Sequence, residues 1–138
     1  MVIRSLAVLL AALALAGPAG STLSPAAVVR AWSKALNRND NEAAANLFAP
    51  NAVVIQPGYR LVLKTHKLAV IWNSGLPCAG TITSLRVVGT AVTANFRLGE
   101  RPKHKCDAPG QAAAALFRVR KGKIIFWQQV PPVTQPVA

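Results

Sequence analysis

Acidic residues are what this sequence has least of. Asp40, Glu42, Glu100 and Asp107 are the only four among 138 residues, against sixteen Lys and Arg, for a net charge of +12. The first two fall at the start of a helix and the last two in a polar loop. None occupies an inward-facing strand position, so paired-carboxylate chemistry is not expected. Histidine is scarce as well, and of His66 and His104 only His66 is placed where a titrating group would be useful. There is no Gly-rich phosphate loop, no nucleophile elbow and no internal repeat. Apolar residues, by contrast, are plentiful. With 52% hydrophobic and 14% charged, the chain is not a disordered tail and can build the core of one domain.

The cationic surplus favours anionic partners such as nucleic acid, acidic lipid or acidic polysaccharide. No basic run exceeds a few residues, which equally describes an ordinary basic surface.

Long apolar runs are missing except at the start. Arg4 precedes the apolar stretch Leu6 to Ala16, and Ala14-Leu15-Ala16 has small residues where a signal peptidase reads, with Gly17, Gly20 and Ser21 beyond. Residues 1 to about 20 therefore read as a signal peptide, too short to span a bilayer comfortably, with an uncleaved anchor as the alternative. Export to a secreted, periplasmic or cell-envelope location follows, and with it an oxidising compartment.

The two cysteines fit that compartment. A hairpin turning at Gly89-Thr90 would bring Cys78 and Cys106 to the same end of a sheet, where a disulfide is sterically reasonable. A zinc site from Cys78, Cys106, His104 and His66 would be the sharper alternative, but the spacing matches no finger. No metal and no cofactor is expected.

The stretch from Gly80 to Val130 organises the rest. Val92, Ala94, Phe96 and Leu98 alternate with Ala91, Thr93, Asn95 and Arg97, the period of a strand with one buried face. The β-branched run Thr81 to Val88 precedes it and breaks at Gly89-Thr90. Ala112 to Arg120 and Lys123 to Val130 flank Lys121-Gly122, which suits a two-residue turn. Four antiparallel strands in a meander are predicted.

Ahead of them, Ser24-Pro25 starts a helix with Val28, Trp32 and Ala35-Leu36 on one stripe. Asn39 and Glu42 are read as capping a second helix that Ala49-Pro50 stops. Asn51 to Gln56 is a short strand ended by Pro57-Gly58, and Tyr59 to Leu63 continues it. Thr65 caps a third helix closed by Gly75 and Pro77.

The run VVRAWSKALNRNDNEAAANLFAPNAVVIQPG resembles the opening of the SnoaL-like group of the nuclear transport factor 2-like superfamily, and FRVRKGKIIFWQQV resembles its last hairpin. The resemblance covers residues 25 to about 130, within a single domain over 24–131 that leaves 132–138 as an extended tail. It implies an α+β fold: a cone-shaped, curved antiparallel sheet wrapped around N-terminal helices, a cystatin-like α+β roll with a pocket inside. Isomerases, cyclases, dehydratases and non-catalytic pocket proteins share that fold, so fold alone assigns no activity. In the steroid isomerase branch an Asp before Pro is the base that abstracts the proton. Here Gln56 precedes Pro57, and an amide has no useful proton affinity at neutral pH.

Strand pairing then predicts the cone's lining. Val92, Ala94, Phe96 and Leu98 should share the concave face with Thr81, Thr83, Leu85 and Val87, and Ala115, Phe117 and Val119 with Ile124, Phe126 and Gln128. Trp32, Gln56, Tyr59 and His66 complete the expected pocket, which suits a neutral, apolar small molecule held by one or two hydrogen bonds. A filled core without a cavity is the alternative. An isomerase- or dehydratase-type enzyme using His66 or Tyr59 is a second reading, although no acid is evident to orient His66.

Outside, Arg86, Arg97, Arg118 and Arg120 should alternate beside Leu116, Ile125 and Trp127, a composition that suits a homodimer interface. A platform for nucleic acid or acidic polymer, with bases stacking on Trp127, would use the same residue types. Arg101, Lys103, His104 and Lys105 form a second basic cluster in the loop.

Overall fold

Residues 22–133 are described by the computed structural model. The signal-like segment and the last five residues of the tail lie outside that range.

Helix α1 (Pro25–Asn37) begins as its sequence dictates: Ser24 Oγ accepts the Ala27 N–H and Pro25 occupies the first turn. Its end explains the first departure from expectation. Asn39 adopts a left-handed φ of 57°, and the N–H groups of Asn39 and Asp40 return to the carbonyls of Leu36 and Ala35. This is a Schellman closure, with Asn tolerating the left-handed position. Asn39 is thus consumed in closing α1. Asp40 caps α2 (Asn41–Ala45) instead, its Oδ1 accepting the Ala43 N–H at 2.9 Å.

Strand β1 (Phe48–Gln56) starts three residues earlier than predicted. The Ile124 N–H donates to the Leu47 carbonyl and Phe48 pairs with Ile124, which draws the chain into the sheet before Pro50. Pro50 is accommodated because the ladder is interrupted between Phe48 and Val53, where no N–H is required of it. After the Pro57-Gly58 turn, β2 (Tyr59–Leu63) pairs back on β1. Thr65 caps α3 (His66–Ser74), and Gly75 closes it.

The remaining chain is the predicted meander: β3 (Ala79–Val88), β4 (Ala91–Gly99), β5 (Ala112–Arg120) and β6 (Lys123–Val130). Lys121 and Gly122 have φ of 50° and 74°, the left-handed pair that a tight hairpin turn demands. The six strands form one curved sheet in the order β2-β1-β6-β5-β4-β3, antiparallel throughout except where β1 runs parallel to β6. The fold is α+β, as expected.

Helix α1 lies across β3, β4 and β5, while α2 packs on α1 and α3. Val28, Val29, Trp32 and Leu36 of α1 meet Val92, Ala94, Ala115, Phe117, Ile124 and Trp127 in the core. Six aromatic contacts bind this core together. Trp32 packs edge-on against Phe117 at 5.3 Å, and Trp72 against Trp127 at 4.9 Å.

Two β-bulges correct the expected face assignments. In β3 the register shifts between Ile82 and Ser84, so Ile82 rather than Thr81 or Thr83 pairs with Phe96; beyond the shift Leu85 and Val87 pair as predicted. In β6 the register shifts so that Val119 pairs with Ile124 but Arg118 with Phe126 and Phe117 with Trp127. Ile125 is the extra residue, and every side chain after it changes face. Trp127 therefore points inward, and Phe126 and Gln128 outward.

Candidate functional site

The concave side holds a cavity of about 250 Å³. Trp32 and Leu36 of α1 form one wall, and Phe96, Leu98 and Trp127 of the sheet form another. The segment from Leu76 to Gly80, which runs from the end of α3 into the start of β3, closes one side. Ala113 and Ala115 leave space that larger residues would fill. Gln56, Ser33, Gln129 and Asp107 are the polar contributors.

Of the predicted pocket residues, Trp32, Gln56 and Phe96 line this cavity. The other five do not. Phe117 is fully buried behind Trp32. Phe126 and Gln128 were turned outward by the bulge. Tyr59 is 47% exposed on the short strand β2, although its hydroxyl donates to Gln56 Oε1 and accepts the Trp72 Nε1–H at 3.2 Å. It therefore reaches the site only through Gln56.

His66 is exposed at the start of α3 and lies 2.6 Å from Glu42 of α2. It does have an acidic neighbour, contrary to the sequence reading, because α2 and α3 pack side by side. That pair sits outside the cavity lining.

The site residue missed at the sequence level is Asp107. It lines the cavity from the loop between β4 and β5, where it was assigned to a polar loop with no inward role. Cys78 and Cys106 are joined, with Cα atoms 4.5 Å apart, as predicted. The bridge carries Asp107 to the cavity's edge, its Oδ1 lying 3.4 Å from Cys78 Sγ. A disulfide sulfur has no hydrogen, so this is a contact and not a hydrogen bond. The pairing also removes both thiols from any metal set of Cys78, Cys106 and Asp107.

Arg101 corrects the reading of the loop as a basic cluster. It is 2% exposed. Its guanidinium donates to the Asn73 carbonyl at 2.7 Å, the Leu76 carbonyl at 2.8 Å and the side-chain oxygens of Asn39 and Asn41. The first of these carbonyls lies in the last turn of α3 and the second just beyond it, at the helix end where a cation is favoured. Among the described residues no carboxylate pairs with it, and burial lowers its pKa. Arg101 and the disulfide together anchor the loop that bears Asp107.

Buried amides hold the tryptophans as well. Trp32 Nε1–H donates to Asn73 Oδ1 at 2.8 Å, and Asn73 Nδ2 donates to the Ala69 carbonyl. Trp127 Nε1–H has no acceptor among the described residues.

On the convex side Arg86, Arg97, Arg118 and Arg120 are exposed as expected. The aromatic partner on this side is the half-buried Phe126, not Trp127: the Arg118 guanidinium lies 6.0 Å from the Phe126 ring centre. The beginning of the tail crosses this side, with the Val133 N–H donating to Asn95 Oδ1. No helix among the described residues is long and apolar enough to cross a membrane.

No sequence-family profile and no curated protein matches the chain. Solved structures do. A protein of unknown function from Cytophaga hutchinsonii, described as NTF2-like, aligns with a TM-score of 0.66 at 14% identity, covering 80% of this chain and 92% of that one. A polyketide cyclase-like protein from Sinorhizobium meliloti aligns at 0.60 with 21% identity, covering 75% and 93%. A ketosteroid isomerase-like protein from Catenulispora acidiphila, in complex with trimethylamine, aligns at 0.61 with 23% identity, covering 80% and 88%. At these identities the likeness concerns the fold. This chain has the α+β architecture of NTF2-like and ketosteroid isomerase-like proteins, with a cavity on the concave side of its sheet.

Proposed function

We propose that this chain is an exported pocket protein that holds a small, largely apolar molecule inside its cone and acts by binding rather than by proton transfer. The observation that carries this reading is the cavity of about 250 Å³ walled by Trp32, Phe96 and Trp127. That volume falls a little below the usual range of about 300–1,000 Å³ for ligand pockets, which favours a small occupant. The position ahead of Pro57, where the isomerases it resembles place a carboxylate, offers the Gln56 amide. The neighbour in complex with trimethylamine and the one named for polyketide cyclisation support a small ligand for a chain of this fold. The Cys78–Cys106 bridge supports export to an oxidising compartment. A second copy docking on the convex face, where Arg118 overlies Phe126, belongs to the same proposal.

Native mass spectrometry of the protein purified from its own host tests all three parts. The expected result is a retained small molecule, a mature mass lacking the first twenty or so residues, and a dimer. An empty, full-length monomer would overturn the reading.

A further inference from the structure

We infer that the cavity takes a small organic cation, a protonated or quaternary amine with an apolar body, and that Asp107 is the residue that selects it. This rests on the pocket reading above and names the charge of its ligand.

The argument begins with the acids of a chain that carries +12. Three of the four are engaged. Asp40 caps α2 and lies near Arg38, Glu42 meets His66, and Glu100 accepts the Cys106 N–H at 3.2 Å. Asp107 is different: among the described residues no cation and no N–H or O–H group reaches its carboxylate, and Lys103 and Lys105 in the same loop form no ion pair with it. Among the described residues it is also the one charged side chain in the cavity lining. Arg101 and the disulfide hold its loop in place, so the carboxylate is positioned by the framework and not by a partner of its own.

The same cavity is lined by Trp32, Phe96 and Trp127. Aromatic faces attract an alkylammonium through the ring quadrupole, with tryptophan the strongest, and the same faces bury its methyl groups. A carboxylate at the rim and rings inside therefore answer both halves of such a ligand. The overall positive field opposes a cation's approach, but it is screened over about 8–10 Å at physiological salt, so the groups in contact decide.

The test uses a matched pair of probes: choline, and 3,3-dimethyl-1-butanol, in which carbon replaces the charged nitrogen. Each is titrated into the full chain while the indole N–H resonances are followed by NMR. Choline should bind about tenfold or more tightly than the alcohol, the sum expected of a cation–π contact and a partly exposed ion pair. Asp107→Asn should remove the ion-pair share of that preference, weakening choline about threefold, and leave the alcohol's affinity unchanged. The variant should fold normally, because Asp107 is exposed and makes no hydrogen bond. Equal binding of both probes, or no response to Asp107→Asn, would overturn the inference while the pocket stands. Failure of both probes to bind would overturn the inference, and the pocket reading would then be decided by whether the native protein retains a small molecule.

Discussion

The two hairpins of the meander carry one β-bulge each, yet they are held in different ways. The inner hairpin, β5–β6, lies in the middle of the sheet, and its bulge turns Trp127 into contact with Trp32, Trp72 and Phe117. The outer hairpin, β3–β4, ends at the sheet edge. Its strand β3 is exposed along most of its length, Val88 at 64%, and its bulge sets the half-buried Ile82 opposite Phe96 at the margin of the core. At its open end it is tied by Cys78–Cys106. Packing secures the one and a covalent bond secures the other, because an edge strand has neighbours on one side only.

Three measurements would break or sharpen that contrast. The largest effect belongs to the inner hairpin. Trp127→Ala should lower unfolding free energy by about 3–5 kcal/mol, the usual loss for a buried large aromatic. Phe126→Ala, one residue away and outside, should cost about 1 kcal/mol. Urea denaturation of both variants decides it, and equal costs would mean that β6 has no bulge.

Next comes the bridge. Replacing Cys78 and Cys106 together by Ala should cost about 3–4 kcal/mol on the chain-entropy estimate for residues separated by 28 positions. Amide exchange should quicken in β3 well before β5 and β6. Uniform acceleration across all four strands would dissolve the distinction between the hairpins.

The smallest effect is expected at the outer edge. Val87 is 47% exposed, and Val87→Thr should change stability by about 0.5 kcal/mol or less. A loss of 2 kcal/mol or more would show that β3 is covered in solution, as a second copy docking along the edge would require.

Local patterns were legible where local chemistry decides. The Ser24-Pro25 start, the Thr65 cap and the Lys121-Gly122 turn appear where their residue types demand. The strands of the last hairpin appear over the predicted ranges. Asn39 reads as the cap of α2 from local sequence, but the closure of α1 consumes it and Asp40 caps α2 instead. Of the cavity, Trp32, Gln56 and Phe96 were legible, the first two by their place on α1 and before Pro57, the third by alternation on an unbroken strand. Phe126 and Gln128 were misassigned because alternation was carried through Ile125 as though the strand were regular. Asp107 and Arg101 had no periodicity to betray them, since both lie in an irregular loop.

By itself the sequence determined most of the elements and the hairpin turns, since each depends on neighbours a few residues apart; it made the Cys78–Cys106 bridge sterically reasonable, and the α+β class came with the family resemblance. Only the tertiary structure decided which side of β6 faces inward, where Arg101 is buried and that Asp107 reaches the cavity. A one-residue bulge reverses a whole strand, and a loop's direction is set by what it is tied to across the fold.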